Sequence, residues 1–364
     1  MKIVMLSDAN SIHTKRWVEA LCKRGISIML VSLSKPKDDF YKTLDIKCLY
    51  VNEAKYDAPT ASKLGYLKLV KQLKKAIAEF NPDILHAHYA SSYGLIGALV
   101  GFHPYIVSVW GSDVYEFPNL NPINKWIIKF VLYKADVLLS TSHVMAEETH
   151  KYTDKDILVT PFGVDTKRFK KTGMAVPNGK FVVGNVKTLA PKYGIDILIK
   201  AYKLVVDRNR TLDTELRIYG VGPCKEEYEQ LADRLDMSDK VKFMGWVNND
   251  HLPDVYSSLS VSVSVSDSES FGVVAVEAMA CECPVVTSDA DGFTEVVDNR
   301  KTGFIVPKRD IEATADAIQR FIDDPALRGK MGAEGRKRVL YLYDWEKNVE
   351  IMCNIYKRVT YNQL

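Results

Sequence analysis

Short runs of β-branched and aliphatic residues alternate along the chain with longer stretches whose apolar side chains recur every three or four positions. The alternation predicts parallel sheets with crossover helices in place of hairpins, and so an α/β fold. Strands are expected over 2–7, 27–33, 46–51, 83–88, 104–109, 136–142 and 156–160, with helices near 12–24, 62–79, 92–101, 122–134 and 143–151. The periodicity lapses over 161–177, where Pro161, Gly163, a basic stretch at 167–171 and Pro177 fall together as a linker. A second series follows, with strands near 181–187, 214–219, 240–243, 260–265, 284–288 and 303–306 and helices near 194–208, 223–236, 250–259, 272–281 and 310–322. Two further helices, near 325–340 and 345–360, close the chain.

Two such series describe two Rossmann-like, doubly wound domains, over 1–170 and 171–344, with 345–364 a closing helix that packs back on the first. In open α/β sheets ligands collect beyond the carboxyl ends of the strands, so the chemistry is expected in a cleft where both sets of ends face each other.

Composition narrows the class. A 47% hydrophobic and 26% charged chain of 364 residues is an ordinary globular one. It contains no uncharged apolar run long enough to span a bilayer and opens directly on a strand-like segment, which points to a cytosolic protein. The six cysteines are scattered, and Cys281 and Cys283 lack C-x-x-C spacing, so reduced thiols are expected. Charge is uneven: residues 1–174 hold 24 Lys/Arg against 17 Asp/Glu, the remainder 25 against 29. A basic first half suits an acidic partner or an anionic membrane face, or is a solvated surface. Its densest cluster is Lys63, Lys68, Lys71, Lys74 and Lys75, opposite an apolar stripe of Leu67, Val70, Leu73, Ala76, Ile77 and Phe80 that fits packing on a sheet.

The most informative stretch is the strand near 260–265 running through a polar turn into the apolar helix that begins at Gly272. The first N–H groups of that helix, near Gly272, Val273 and Val274, lack intrahelical partners and make a place for a phosphate. Glu277 lies a turn further among Val, Ala and Met, where a buried carboxylate needs a partner. Ribose hydroxyls would serve, or the residue lies on an exposed face or pairs with a lysine.

The segment ESFGVVAVEAMA over 269–280, followed by PVVTS at 284–288 and GFIVP at 303–307, resembles glycosyltransferase family four, the retaining enzymes of GT-B fold marked by two glutamates of this spacing, here Glu269 and Glu277. The likeness runs the length of the chain, through PFGVD at 161–165, FVVGNVK at 181–187, KYG at 192–194, IYGVGP at 218–223 and VKFMGWV at 241–247. The resemblance implies a donor site in the second domain. Lys187, Lys192 and the helix start at Gly272, Val273 and Val274 would hold the diphosphate, and Gly220 and Phe271 would also belong to the donor site. Trp246 and Val247 would lie near the base, Glu277 would bind ribose, and Glu269 would meet the donor sugar. Glu269, Lys192 and Asp113 are the catalytic candidates. The two ammonium groups and helix donors would stabilise charge on the departing diphosphate, so no cofactor and no metal are expected. The family usually places Arg where Lys187 stands, and an ammonium lacks the bidentate fork.

In the first domain the segment 83–89 ends in His86 and His88, whose side chains fall on one side of a strand. No carboxylate and histidine set accompanies them, so a metal is not expected. By the resemblance this strand end borders the acceptor cleft, with His88 lining it. Trp110 stands where many relatives carry a histidine, immediately before Gly111. Asp113 either polarises the acceptor hydroxyl or caps the next helix. Asp8 and His13, in the first loop, complete the acceptor candidates, with Arg16 nearby.

The resemblance therefore implies a retaining, hexosyltransferase-type enzyme that moves a sugar from a nucleoside diphosphate sugar, UDP- or GDP-linked, to a hydroxyl acceptor. The acceptor would be a sugar, a polysaccharide or a lipid-linked intermediate in cell-surface glycan assembly, with an anionic membrane surface as a further partner and nucleic acid not expected. A sugar-nucleotide epimerase, a phosphorylase and a non-catalytic sugar-nucleotide binder are the competing readings.

Overall fold

The computed structural model describes residues 1–44, 46–50, 65–176 and 179–361. Contacts divide the chain into two compact units, Met1–Pro161 with Lys347–Leu364, and Phe162–Glu346. The division falls at Pro161, earlier than residue 170, because the segment after it is bonded into the second unit. Val164 forms a parallel bridge with Asp344, and the Arg336 guanidinium donates to the carbonyls of Thr166 and Phe169 at 2.9 and 2.5 Å.

Among the described residues the first unit is built on a seven-stranded sheet: β1 (Lys2–Leu6), β2 (Ser27–Ser32), β3 (Lys47–Tyr50), β4 (Ile84–His88), β5 (Tyr105–Val109), β6 (Val137–Ser140) and β7 (Ile157–Val159), in the order β3-β2-β1-β4-β5-β6-β7. Every pairing is parallel. The second unit has six strands: β8 (Lys180–Val186), β9 (Asp213–Tyr219), β10 (Val241–Gly245), β11 (Val261–Ser264), β12 (Val285–Ser288) and β13 (Gly303–Val306), in the order β10-β9-β8-β11-β12-β13. They too are all parallel. Central strands such as β4 and β5 are buried at every residue, as expected of strands covered by helices on both faces. Each unit closes its own core, around Val4, Leu85 and Val107 in the first and Val183, Ile218 and Val263 in the second.

In both sheets the chain order reverses at one place, between β1 and β4 and between β8 and β11. Crossovers leave in opposite directions there, and a crevice opens beyond the carboxyl ends of those strands.

The closing helix Trp345–Thr360 joins the first unit from Lys347 onward, and the Tyr356 hydroxyl lies 2.7 Å from His86 Nδ1. The helix Gly65–Phe80 spends its apolar stripe on the sheet, burying Leu69, Leu73, Ala76 and Ile77 while Lys71, Lys74 and Lys75 remain exposed. Lys63 and the linker residues Pro177 and Asn178 lie outside the described residues, as does the Lys68 side chain. No helix among the described residues is long and apolar enough to cross a membrane.

Candidate functional site

The second unit presents most of the expected donor residues along the carboxyl edge of its sheet. Trp246 follows β10, Gly220 follows β9, and Lys187 follows β8. Backbone bonds lock these turns together: Lys187 N–H donates to the Tyr219 carbonyl at 2.9 Å and Gly220 N–H to the Gly245 carbonyl at 2.7 Å. Across the switch point, the turn after β11 carries Glu269. Its Oε2 lies 2.5 Å from Lys187 Nζ, with both side chains only 13% exposed.

Lys192 belongs to the short 3-10 turn Pro191–Tyr193. Its ammonium lies 5.3 Å from the centroid of the Tyr193 ring, and that of Lys187 lies 4.7 Å from the same centroid. One aromatic ring thus holds two cations near each other, each attracted to its π-system. The turn is seated by the bond from Asp267 N–H to the Lys192 carbonyl at 2.8 Å. It ends on Gly194 at φ +65°, where a Cβ would stand 2.1 Å from the Val265 carbonyl oxygen, so only glycine lets the turn close on β11.

The helix Val273–Ala280 begins on Gly272 at φ +94°. Val273 and Val274 are half-buried on its first turn, with N–H groups that a helix start leaves without intrahelical partners. Glu277 is buried, and its Oε2 accepts from the Tyr256 hydroxyl at 3.1 Å. The carboxylate therefore has a protein partner that sequence reasoning missed, because Tyr256 comes from the separate helix Leu252–Ser257. Burial, reinforced by Glu277, pushes the Tyr256 phenol well above its ordinary range, which keeps it a neutral donor.

Phe271 departs from expectation. Its side chain is buried and packs edge-on against Phe162 and Tyr343, with centroids 6.1 and 5.6 Å away, so it anchors the turn from inside and leaves only its backbone for a ligand. Trp246 is 70% exposed and Val247 half-buried. Asn185 Oδ1, Ser266 Oγ, Asp267 Oδ1 and Thr287 Oγ1, in or just after β8, β11 and β12, are buried without a hydrogen-bond partner. Buried polar atoms are normally satisfied, by water or ligand where protein does not serve.

In the first unit a cavity of about 400 Å³ sits at the other switch point, lined by Ser7, Asp8 and Ser11 after β1, by His88, Tyr89, Ser92 and Tyr93 at and after β4, and by Trp110 after β5. Three of the expected acceptor residues, Asp8, His88 and Trp110, come together there. His13 stands edge-on to Trp110 with centroids 6.0 Å apart. Asp8 Oδ1 accepts from Asn10 N–H and the Ser34 hydroxyl at 3.1 and 3.0 Å, which holds the first loop. His88 lies against Trp110 at 4.6 Å and its Nδ1 is buried without a hydrogen-bond partner. Its neighbour His86 is satisfied at both ring nitrogens, by Tyr356 and by the Ser108 hydroxyl at 2.8 Å. Burial holds His86 down to about 3 and His88 well below the ordinary imidazole range. Burial, aided by Arg16, holds His13 near 4. All three are neutral rings at physiological pH.

Asp113 is neither an exposed base nor a helix cap. It is fully buried, and Gly111 is the capping residue of the helix Ser112–Tyr115. The carboxylate accepts from the N–H groups of Ala90 at 2.7 Å, Gly111 at 2.7 Å and Trp110 at 3.1 Å. It clamps the ends of β4 and β5 together, positioning His88 and Trp110. Among the described residues no group of three or more His, Cys, Asp or Glu side chains is arranged to hold a metal ion.

Two doubly wound units with polar residues gathered at both switch points define the class, a two-domain α/β enzyme of GT-B type. Residues 166–338 match the family described as "Glycosyl transferases group 1", and residues 2–142 match "Glycosyl transferase 4-like". The two matches together take in most of the chain, and both describe glycosyltransferases, so the protein is a glycosyltransferase. It is 26% identical over 311 residues to the N-acetyl-alpha-D-glucosaminyl L-malate synthase of Bacillus anthracis, covering 80% of this chain and 78% of the relative. It is 27% identical over 319 residues to the capsular polysaccharide biosynthesis glycosyltransferase CapM of Staphylococcus aureus, covering 80% and 81%. Its fold superposes on Anabaena Alr3699/HepE, solved in complex with UDP, with a TM-score of 0.82 at 19% identity, covering 98% of this chain and 100% of that one.

Proposed function

We propose that this glycosyltransferase moves a hexosyl group from a nucleoside diphosphate sugar to a hydroxyl acceptor, with retention of anomeric configuration. The observation that carries the reading is the pairing of Lys187 and Lys192 about the Tyr193 ring at the switch point of the second sheet. Two ammonium groups beside a helix N-terminus suit a diphosphate and need no metal ion to neutralise it. Glu277 offers its carboxylate to the ribose, held in place by Tyr256, and the exposed Trp246 offers a face to the base.

The reaction breaks the bond from the anomeric carbon to the diphosphate and forms one to the acceptor oxygen. The acceptor proton passes to an oxygen of the departing diphosphate, on the same face of the sugar. That route suits a first unit whose buried Asp113 is committed to backbone and whose site histidines His13, His86 and His88 are held well below the ordinary imidazole range, which makes them weak bases. In it, Lys187 and Lys192 stabilise growing negative charge, and Glu269, freed from Lys187 when diphosphate replaces it, accepts hydrogen bonds from the donor sugar. The cavity lined by Asp8, His88 and Trp110 takes the acceptor, with the unpartnered His88 Nδ1 accepting from its hydroxyl. The named relatives in capsule and sugar-malate synthesis favour a surface-glycan or small-molecule acceptor.

The test is release of nucleoside diphosphate from UDP- and GDP-sugars with a panel of glycan and lipid-linked acceptors, with the product's anomeric configuration read by NMR. Acceptor-dependent release with retention is expected. Release without acceptor, interconversion of the donor sugar or an inverted product contradicts the proposal.

A further inference from the structure

The helix Pro122–Lys134 buries Ile127, Ile128, Val131 and Leu132 in the core of the first unit. Its opposite face is apolar as well. Ile123, Trp126 and Tyr133 are 66, 62 and 73% exposed, Phe130 is half-buried, and Leu120, just before the helix, is 71% exposed. At helical spacing the four helix residues form one outward stripe. Trp126 and Phe130 stack on each other, with centroids 5.4 Å apart and planes at 9°. Exposed large side chains are unremarkable singly, whereas a contiguous aromatic stripe marks an interaction surface.

The charges around the stripe say what covers it. Lys125 and Lys129 border one side and Lys134 the other, and residues 117–135 contain no Asp or Glu. The Lys134 ammonium stands 5.9 Å from the centroids of both Phe130 and Tyr133. Lys155 donates to the carbonyls of Tyr133 and Ala135 at 2.7 and 2.5 Å and so ties the end of the helix to the body. A second copy meeting this face by two-fold symmetry would oppose lysine to lysine, which disfavours self-association. An anionic bilayer meets both features: aromatic rings settle at the level of the headgroups and ammonium groups meet lipid phosphates.

We infer that the stripe Ile123, Trp126, Phe130 and Tyr133, with its lysine border, is the face by which this protein docks on an anionic phospholipid surface. It stands apart from the basic face of the helix Gly65–Phe80, whose apolar side is spent on the core. The transferase reading plays no part in the test, which needs neither donor nor acceptor. Full-length protein is floated with phosphatidylglycerol-containing and with purely phosphatidylcholine vesicles over a salt series. Salt-sensitive binding to the anionic vesicles alone is expected. Trp126→Ser with Tyr133→Ser should weaken it by about tenfold or more, since burial of each large side chain contributes at this scale. Lys125→Glu with Lys129→Glu and Lys134→Glu should abolish it, while Lys71→Glu with Lys74→Glu leaves it unchanged. A second readout requires no polar variant: brominated acyl chains should quench wild-type tryptophan fluorescence more than that of Trp126→Phe. Absence of binding, equal binding to both vesicles, loss only in the Lys71/Lys74 variant, or wild-type self-association abolished by Trp126→Ser would overturn the inference.

Discussion

Replacing Lys187 by alanine separates two roles of one side chain, the ion pair with Glu269 and the proposed contact with diphosphate. Its ammonium neutralises Glu269 at 2.5 Å, in a setting where both side chains are 13% exposed. Removing it leaves a largely buried carboxylate without that partner, at a cost of about 1–3 kcal/mol. For a unit of this size each kcal/mol lowers the melting temperature by roughly 2–4 °C, so a fall of several degrees is expected. In the proposed nucleotide complex the same ammonium would make a charge-assisted hydrogen bond worth about 1.5–3 kcal/mol, and its loss should raise Kd by roughly 10- to 150-fold. Lys187→Ala with Glu269→Ala removes both charges, so most of the stability should return. The nucleotide affinity should not. Thermal melts and calorimetric titration of the two single variants and the double variant complete the cycle. If affinity returned together with stability in the double variant, Lys187 would act only through Glu269 and its contact with phosphate would be refuted.

Glu277→Gln should weaken nucleotide binding by roughly 5- to 30-fold, at about 1–2 kcal/mol, with little change in melting temperature. Tyr256→Phe should reproduce part of that loss, because the hydroxyl 3.1 Å from Glu277 is gone; unchanged binding in both would remove the ribose assignment. Gly194→Ala should lose more than about 1 kcal/mol of stability together with nucleotide binding, since the new methyl meets the Val265 carbonyl in a left-handed backbone; a wild-type melt would contradict the close approach. The first unit should be acid-labile. His86 is held down to about 3 and His13 to about 4, while the unfolded chain titrates near 6.5, so their stabilisation is complete above that value and is lost as pH falls below it. Each should lose roughly 2 kcal/mol between pH 7 and 5. His86→Gln should flatten the pH dependence of urea unfolding by about one proton, and an undiminished slope would show that the buried ring is not the cause.

Much of this was legible in the chain because parallel strands write themselves as short apolar runs. All thirteen strands of the described structure fall within a residue or two of the expected spans. The short helices Phe40–Thr43, Ser112–Tyr115 and Asp291–Val296 were not legible, since elements of four to six residues complete too few turns to show a period. At the sites, residue type indicated where polar groups gather, and tertiary partners decided what each does. Asp113 reads as a base or a cap, and three backbone donors make it a clamp. Phe271, inside the most informative motif, turns inward because Phe162 and Tyr343 wait there. Tyr193 stands in the segment KYG at 192–194, and its ring's closeness to the ammonium groups of both Lys187 and Lys192 followed only from the fold of the turn.

In the proposed function the second unit binds a nucleoside diphosphate through Lys187 and Lys192. Isothermal titration of UDP and GDP into wild-type protein and into Lys187→Ala/Lys192→Ala tests it most directly. Saturable one-site binding of one of the two nucleotides is predicted, weakened at least about 100-fold in the double variant, since two charge-assisted bonds are lost. Equal affinity in the wild type and the double variant, or binding of neither nucleotide to the wild type, would refute a diphosphate site at these two lysines.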